Sequence, residues 1–398
     1  MIIEQVIDVY NNDLTYTGSN TDLLATVLLD MTKYDGVVSV SVQWTCKFTY
    51  SGPADAGGSA SLKLYNDTDG EDVDGSITSI GNGDWHNSVV SDITSYCVAH
   101  PTIQVRCLTN AVNDLAFLRR CTIRIVQLNP TKTRTMIPLD ASLNRTAATY
   151  AETTSRKNWV YTSGNYDGTV AVSFGCSMRT VNAAYTAYAQ LYDLTDAAAV
   201  GSSEVSITGT TASAFVQSGS ISPTSGHTFA PQFKISTAGQ TLNYQNAFLI
   251  IDQDGSGVPL TKLQTVVQVI NMRLTQGGTT YVPKLRYTAY NNNNYKNCTL
   301  DFKHEAVLAV GFDVLYAYAD LTDDGTEIGS SELSSNVTDY TIKTSGSLTA
   351  PTGDGNVIDS QMKCNTALAG ICTSTRIVLT ITNGVATPRM LAAVGAGE

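Results

Sequence analysis

Apolar and polar residues alternate with a period of two in three separate stretches of the chain. In residues 38–48 the apolar set is Val38, Val40, Val42, Trp44, Cys46 and Phe48, and the polar set is Ser39, Ser41, Gln43, Thr45 and Lys47. Successive side chains of a strand point to opposite faces of its sheet. The pattern therefore predicts an antiparallel strand with one face on a core and the other face outward.

Two later stretches repeat this alternation. In residues 169–178 the inward set is Val170, Val172, Phe174, Cys176 and Met178, and Thr169, Ser173 and Ser177 are outward. In residues 298–306 the inward set is Cys298, Leu300, Phe302, His304 and Ala306, and Thr299, Asp301, Lys303 and Glu305 are outward. No window carries a sustained helical period, and Gly, Asn and Asp punctuate the stretches. The pattern predicts an all-β protein of antiparallel sandwiches.

Three markers recur with a period of about 128 residues, which is the signature of an internal repeat. They are Asp69, Asp196 and Asp323 in acidic turns, Gln104, Gln232 and Gln361 in strand segments, and Ser91, Ser218 and Ser345 in serine-containing segments. We predict three tandem β-sandwich domains, called units 1, 2 and 3, at residues 1–130, 131–257 and 258–398. The boundaries lie at turn residues near Pro130 and Gly257, and the short linkers predict a fixed row of units. The length of each unit favours a jelly roll over an immunoglobulin-like sandwich.

The acidic turns allow two interpretations. Asp, Asn and Gly are typical turn residues, because Asp and Asn bond their own backbone and Gly adopts positive φ. Carboxylates are also the ligands that Ca²⁺ prefers, and in unit 3 such a site would use Asp320, Asp323, Asp324 and Glu327. Unit 2 carries Ala197, Ala198 and Ala199 in this segment, so the three units cannot share a calcium site. We interpret the segments as turns and predict no metal site.

Composition excludes some partners. Only 15% of the residues are charged, and the net charge of −11 with a pI near 4.8 comes without any basic run. Binding to nucleic acid or to an anionic membrane requires clustered Lys and Arg, so neither is expected as a partner. The N-terminal segment does not resemble a secretory signal, and no apolar run is long enough to span a bilayer.

The eight cysteines do not form metal-binding spacings, and we expect most of them to be buried thiols in a chain folded in a reducing compartment. A disulfide between Cys364 and Cys372, across a short hairpin, is the alternative for that pair. The four histidines, His86, His100, His227 and His304, are scattered, and His304 is expected in a core. No motif for catalysis or for a cofactor is present, so we expect a protein that is not an enzyme and has no cofactor.

Tyrosine is the aromatic residue that this chain uses most, with 20 Tyr against 9 Phe. Tyr185, Tyr188, Tyr316 and Tyr318 precede the acidic turns of units 2 and 3. They either fill a sandwich as an aromatic cluster or form an exposed platform for a surface glycan or a neighbouring subunit.

Unit 2 reads "YDGTVAVSFGCSM…AYAQLYDLTD…GSSE…FVQSGSI…FAPQFK…AFLIIDQ". This pattern resembles the β-sandwich, jelly-roll-like modules in structural proteins of tailed bacteriophages and related virions. The resemblance implies a virion protein assembled in host cytoplasm, as a capsid decoration protein, minor capsid protein, head fibre or tail component. It carries no catalytic or ligand motif. Two alternatives stay open: a carbohydrate-binding, adhesin-like array, and a subunit of an extracellular filament or sheath in which the first strand is donated.

The predicted outward faces of units 1 and 2 carry few charges, and Lys, Glu or Pro are the usual protection of exposed sheet edges. We therefore expect a homo-oligomer, a trimer or a lattice, in which units 1 and 2 form contacts with each other's copies and with other virion proteins. Unit 3, with Asp301, Lys303 and Glu305 outward, is expected to be the most exposed.

Overall fold

The structure is a computed structural model of the 398-residue chain. It describes residues 1–382 except 18–21, 50–59, 74–77, 81–85, 98–101, 110–114, 154–155, 210–213, 271–272, 285–287, 312–314 and 367–369. His100 lies outside the described residues. No helix in this described part of the chain is long and apolar enough to cross a membrane.

Unit 1 is built from nine strands. They are β1 (Ile2–Thr17), β2 (Asp22–Leu28), β3 (Val37–Thr49), β4 (Ala60–Asn66), β5 (Glu71–Asp72), β6 (Thr78–Ile80), β7 (His86–Asp92), β8 (Thr102–Thr109) and β9 (Leu115–Leu128). One sheet has the order β1-β9-β3-β7, and the other has the order β2-β8-β4-β5 with β6 also paired to β4. All pairings are antiparallel.

Unit 2 repeats this arrangement. Its strands are β10 (Lys132–Arg145), β11 (Ala151–Glu152), β12 (Trp159–Val160), β13 (Thr169–Thr180), β14 (Thr186–Asp193), β15 (Ala198–Ala199), β16 (Val205–Thr208), β17 (Ala214–Gln217), β18 (Thr228–Ile235) and β19 (Leu242–Asp254). Its sheets have the orders β10-β19-β13-β17 and β11-β18-β14-β15, with β12 paired to β18 and β16 paired to β14.

Unit 3 repeats it again. Its strands are β20 (Lys262–Ile270), β21 (Leu274–Gln276), β22 (Val282–Pro283), β23 (Thr288–Asn291), β24 (Thr299–Val310), β25 (Ala317–Asp323), β26 (Thr326–Glu327), β27 (Leu333–Ser335), β28 (Thr341–Thr344), β29 (Asp354–Cys364) and β30 (Gly370–Thr382). Its sheets have the orders β20-β30-β24-β28 and β22-β29-β25-β26, with β21 paired to β30, β23 to β29 and β27 to β25.

The strand order identifies each sandwich as a jelly roll. In every unit the first strand pairs with the last, and the last pairs with the long alternating strand, β3, β13 or β24. An immunoglobulin sandwich instead keeps its first two strands in one sheet. The prediction of an all-β chain with three jelly-roll-like sandwiches is confirmed. The boundaries near Pro130 and Gly257 stay predictions; these residues lie between β9 and β10 and between β19 and β20.

Two of the three sequence markers are out of structural register. A hairpin turn follows β4, β14 and β25. It starts after Asn66, Asp193 and Asp323, because each of these residues pairs with the first residue of the return strand. The turn has two residues in unit 3 but four in units 1 and 2, so Asp323 matches Asn66 and Asp193 instead of Asp69 and Asp196. In the same frame Gln104 is displaced by two residues from Gln232 and Gln361. Equal spacing in the sequence therefore aligned residues that are not structurally equivalent, because the turns differ in length.

The serine marker holds in units 2 and 3. The Ser218 hydroxyl accepts a bond from the backbone N–H of Phe174, and the Ser345 hydroxyl accepts one from the N–H of His304, both at 3.0 Å. Each serine thus ties the segment beyond its edge strand to the same point of the long central strand.

The units form a closed ring, and the expected row is wrong. The first strands β1, β10 and β20 pack against one another at the centre. Gln5, Thr135 and Thr265, which are the fourth residues of these strands, are all buried there. The Thr265 hydroxyl donates to the Gln5 side chain at 3.0 Å, and the Thr135 hydroxyl donates to the backbone carbonyl of Gln264 at 2.9 Å. Unit 1 therefore contacts unit 3 as directly as it contacts unit 2.

Each hydrophobic core continues into the next unit. The core of unit 1 includes Met136 and Ile250 of unit 2, and the core of unit 2 includes Val266 and Val378 of unit 3. The core of unit 3 closes the cycle, because it includes Met1, Ile3 and Val6 of unit 1. Met136, Val266 and Val6 occupy the same position of the first strand in their units. Head-to-tail contacts of one kind close into a ring when the rotation between units allows it.

This ring changes the predicted faces of the long strands. The inward positions from Val40 to Cys46 are buried as expected, but the outward Gln43 and Thr45 are buried as well. Ser173 and Ser177 of unit 2 are also buried. These side chains do not need neighbouring subunits to cover them, since the sheets of the same chain surround them.

Two further positions depart from the simple alternation. Val38, expected inward, is 57% exposed, because the pairing with β9 shifts register between Val37 and Ser39. Glu305, expected outward in the most exposed unit, is buried and ion-paired with Arg376. Asp301 and Lys303 are half-buried and pair with each other at 2.7 Å.

Candidate functional site

The ring is held at three equivalent interfaces, and each begins with a tyrosine. Tyr34, Tyr166 and Tyr295 directly follow the 3₁₀ turns Met31–Lys33, Ser163–Asn165 and Asn292–Asn294, and all three are buried. The turn places the tyrosine side chain so that it points at the next unit. A buried phenol needs a polar partner for its hydroxyl, and the neighbouring unit can supply one.

That partner is the third residue of the next unit's first strand. The Tyr166 hydroxyl donates to Gln264 Oε1 at 2.7 Å, and the Tyr295 hydroxyl donates to Glu4 Oε2 at 3.2 Å. Burial raises the pKa of both phenols well above the ordinary value, so both stay neutral donors. At the interface of units 1 and 2, Arg134 takes this position without a hydrogen bond from the Tyr34 hydroxyl, and its charge opposes the rise that burial causes in the pKa of Tyr34.

The residue after each tyrosine binds the start of the next unit. Asp35 Oδ1 accepts from the backbone N–H groups of Thr131 and Lys132 at 2.8 and 2.9 Å. Asp167 Oδ2 accepts from the N–H and the hydroxyl of Thr261 at 2.7 and 2.5 Å. In unit 3 this position is Lys296, whose backbone carbonyl accepts from the N–H of Ile2 at 2.9 Å. The third interface therefore closes with a main-chain bond where the other two use a carboxylate.

A glutamine near the end of the last strand reinforces the first two interfaces. The Gln127 amide donates to the carbonyls of Asp35 and Lys132 at 2.7 and 2.8 Å. The Gln253 amide donates to the matching carbonyls of Asp167 and Lys262 at 3.1 and 2.8 Å. In each case one side chain links the tyrosine turn to the following unit.

A buried arginine marks each interface. In unit 1, Arg124 forms two bonds to the Glu4 carboxylate at 2.7 and 2.8 Å and donates to the carbonyl of Ala289 in unit 3 at 2.8 Å. In unit 2, Arg134 forms two bonds to the Asp252 carboxylate at 2.6 and 2.9 Å, and Lys33 of unit 1 lies 3.4 Å from the same carboxylate.

In unit 3, Arg376 is fully buried and pairs with Glu305. Its guanidinium also donates to the carbonyls of Lys157 and Asn158 in unit 2 at 3.2 and 2.7 Å, and it lies 4.6 Å from the ring centre of Trp159. Burial lowers the pKa of the nearby Lys157 ammonium to about 8, with attraction from Asp140 opposing the change. Removing one partner of such a buried pair strands a charge at the interface, which is strongly destabilising.

The residues considered for calcium are bound separately. The Asp320 carboxylate accepts bonds from the Ser331 hydroxyl and, at 2.9 Å, from the Gln361 amide. Asp323 accepts from Asn356. Asp324 accepts from the N–H of Val357 at 3.1 Å, and Glu327 is exposed. The described residues do not bring these four carboxylates into one group, and the sequence prediction of turns without metal stays a prediction.

Of the four tyrosines considered as a glycan platform, Tyr188 and Tyr318 belong to matching surface clusters, one in unit 2 and one in unit 3, and Tyr185 packs against the core of unit 2. In unit 3, Lys363 lies 4.1 and 4.8 Å from the ring centres of Tyr281 and Tyr318, and both Tyr281 and Lys363 bind Glu332. In unit 2 the matching residues are Lys234, Tyr150, Tyr188 and Glu204. In each cluster the lysine ammonium lies over both tyrosine rings. Tyr316 remains 41% exposed beside Tyr318.

The remaining predicted residues have structural places. His304 is buried, and its ring nitrogen Nδ1 lies 2.6 Å from the carbonyl of Ser331. Cys364 and Cys372 are free thiols, so the disulfide alternative is wrong. The two lie on β29 and β30, which belong to opposite sheets. The first strand β1 pairs with β9 of its own unit.

Sequence reasoning missed the three buried arginines and the interface tyrosines. A signal was present, since Arg124 and Arg376 are isolated charges in the apolar segments "TIRIVQL" and "TRIVLTI". Charged residues are almost never fully buried unless paired. An arginine inside a strand of this kind therefore indicates a buried partner.

No family model matches the chain, and no curated protein matches it. Among solved structures, it is similar to one of infectious bursal disease virus strain Gx, with 12% identity over 63% of this chain and 72% of that chain and a TM-score of 0.22. A VP2 subviral particle of that virus gives 12% identity, 88% and 74% coverage and a TM-score of 0.23.

An archaeal virus protein described by a triple jelly roll fold and turret assembly gives 12% identity, 96% and 91% coverage and a TM-score of 0.18. All three come from viruses, and none of these viruses is a bacteriophage by its description. TM-scores this low do not establish a shared fold or function. The jelly-roll fold of each unit follows from its own strand order.

Proposed function

We propose that the chain is a non-enzymatic structural protein of a virus particle. It acts as a capsid decoration protein, a minor capsid protein or a tail component, and it assembles with copies of itself and with other virion proteins. One chain supplies three jelly rolls, so a single molecule presents a surface with approximate threefold symmetry.

The observation that carries this proposal is the closure of the ring through three equivalent interfaces. Each interface has an equivalent buried tyrosine, which bonds the third residue of the next unit's first strand at two of the three interfaces. Each interface also has a buried arginine pair, and each core includes residues of the next unit. Such a ring resists movement of one unit against another, because that movement would expose apolar surface and break the bonds from Arg124 and Arg376 to carbonyls of a neighbouring unit. Rigid, symmetric bodies suit a shell or a tail.

The thiols and charges of the chain support assembly in host cytoplasm. Cys46, Cys121, Cys176, Cys364 and Cys372 are buried and free, which suits a reducing compartment. Burial raises the pKa of the Cys121 and Cys176 thiols well above the ordinary value, so these groups are unreactive. The acidic surface gives no support to contact with nucleic acid or membrane.

We expect contacts between chains at the outer edges of the ring. Strands β7, β17 and β28 are the edge strands of the first sheets, opposite to the central β1, β10 and β20, and β17 also contacts β2 of unit 1. Outer edges with few charges recruit neighbouring chains. A homo-oligomer or lattice of rings follows, and a trimer of whole chains is the smallest closed form that we propose.

Light scattering on the purified full chain, combined with electron imaging of its native assembly, tests the function. The proposal expects a mass larger than the 42.4 kDa of one chain and particles in which rings repeat. A stable monomer that binds an oligosaccharide with micromolar affinity would overturn it in favour of the adhesin-like array. An open fibre with donated strands would favour the filament subunit.

A further inference from the structure

Three side chains of unit 2 meet where β14 ends and β18 begins. His227 Nδ1 lies 2.8 Å from Asp193 Oδ2 and 3.5 Å from Asp196 Oδ2. One donor atom from each residue lies within 4.8 Å of the other two, and no other group of three such ligands occurs among the described residues. Asp193 is buried, His227 is half-buried and Asp196 is exposed.

The cluster is held rigidly by its own turn. Asp193 Oδ1 accepts from the backbone N–H groups of Thr195 and Asp196 at 2.9 and 3.2 Å. The Thr195 hydroxyl accepts from the N–H of Thr228 at 3.0 Å, and the N–H of Leu194 donates to the Thr228 carbonyl at 2.8 Å. These bonds tie the turn to β18 and leave Asp193 Oδ2 free to face the imidazole.

Unit 3 closes the same gap with an amide, and in unit 1 an amide takes the place of Asp193. Asp323 of unit 3 matches Asp193, and Asn356 matches His227, since each lies two residues before the residue that pairs with the aspartate. The Asn356 amide nitrogen donates to both oxygens of Asp323 at 3.0 and 2.9 Å. In unit 1, Asn66 donates to Asp69 at 2.7 Å.

An amide nitrogen has no lone pair for a metal, whereas neutral imidazole does. Among the described residues, unit 2 is thus the one place in which an imidazole nitrogen and two carboxylates meet at this turn. The three units share the hairpin backbone, but the side chains that could bind a metal meet in unit 2.

We propose that Asp193, Asp196 and His227 bind one divalent transition metal ion of the Zn²⁺ class. Zinc accepts imidazole nitrogen at about 2.0–2.1 Å and carboxylate oxygen at about 2.0–2.2 Å, which places tetrahedral ligands about 3.4 Å apart. The observed separations of 2.8 and 3.5 Å need only small side-chain movements to fit. On metal binding, Nδ1 gives up the proton with which it contacts Asp193 Oδ2 and supplies its lone pair to the ion, and the ring keeps a proton on Nε2.

Calcium fits this cluster poorly, because it takes six to eight oxygen ligands. The ion keeps a fourth position for water, because the Asp196 side chain is 61% exposed. The site is a surface site at the turn, and the ring interfaces do not depend on it.

The test is a calorimetric titration of the purified full chain with Zn²⁺ alone. We expect one equivalent to bind, and His227→Asn and Asp196→Asn to lower the affinity at least about tenfold each, since even residues outside the ligand set change metal affinity by that factor. His227→Asn is chosen because asparagine occupies this position in unit 3. Asp323→Asn removes the matching carboxylate of unit 3 and is the control that keeps wild-type affinity.

Cobalt(II) gives an independent readout, because protein-bound Co²⁺ absorbs in the visible range. The wild type and Asp323→Asn should show these bands, and His227→Asn should lack them. Equal Zn²⁺ affinity of wild type and His227→Asn overturns the proposal, as does a wild type that binds no zinc. If thermal unfolding shows that His227→Asn does not fold, the exposed Asp196→Asn variant decides by the same two criteria.

Discussion

Replacing Glu305 by leucine strands the buried charge of Arg376 at the interface of units 2 and 3. Arg376 is fully buried, and its remaining partners in unit 2 are the neutral carbonyls of Lys157 and Asn158 and the ring of Trp159. Breaking a buried ion pair by removing one partner costs about 3–5 kcal/mol. That is a large part of the about 5–15 kcal/mol by which native proteins are stable.

The double variant Glu305→Leu with Arg376→Met separates this cost from the loss of packing. Replacing both members of a buried pair by apolar residues of similar volume is often neutral or stabilising. The two carbonyls in unit 2 lose their donors, which costs about 1–3 kcal/mol for each group left unsatisfied. We therefore expect the double variant to be less stable than the wild type, and to lose less stability than the sum of the losses of the two single variants.

Urea denaturation followed by tryptophan fluorescence measures these differences. The control is Asp301→Asn on the same strand, which breaks the half-exposed pair with Lys303 and should cost less than about 1 kcal/mol. The reasoning is refuted if Glu305→Leu costs no more than this control, or if the costs of the two single variants simply add in the double variant.

Three smaller effects follow from single contacts. Tyr166→Phe removes the bond to Gln264 between units 2 and 3 and should cost about 0.5–1.5 kcal/mol in thermal unfolding; no change would mean that the hydroxyl is solvated. Gly168 has φ +72°, and a Cβ there would lie 2.7 Å from the Asp254 carbonyl oxygen. Gly168→Ala should therefore lower the free energy of unfolding by at least about 1–2 kcal/mol. An unchanged melting temperature would contradict the left-handed conformation of Gly168. Burial lowers the pKa of His304 from 6.5 to about 4, so the unfolded chain takes up the proton first, and the wild type should lose up to about 1.4 kcal/mol per pH unit as the pH falls from 6.5 to 4. His304→Asn should flatten this slope, and an identical slope in both proteins would show that His304 is not its source.

The strands could be predicted from the sequence because alternation is a local property. Val40 to Cys46 and Phe174 to Met178 are buried as their period of two requires. The outward faces could not be predicted, since burial of Thr45 or Ser177 depends on a unit that is remote in sequence. The same limit applies to the cluster of Asp193, Asp196 and His227, because His227 precedes β18 and is more than 30 residues from the two aspartates at the end of β14.

The closure of the ring could not be predicted from the alternation of apolar and polar residues or from the repeat. Nothing local to Met1, Ile3 or Val6 indicates that they complete the core of unit 3. Sequence spacing matches Asp323 to Asp69 and Asp196. Its structural equivalents are Asn66 and Asp193, because the unit 3 hairpin is two residues shorter. Repeats predict what each unit is, and the contacts between units decide how the copies combine.

Cryo-electron microscopy of the native assembly that contains this chain tests the central claim most directly. The account predicts that each copy appears as three jelly-roll lobes closed around a local threefold axis, with β1, β10 and β20 at its centre, and that copies repeat on a virus particle. Density with the three units in an open row, or a chain found only as isolated molecules bound to a glycan, would contradict it.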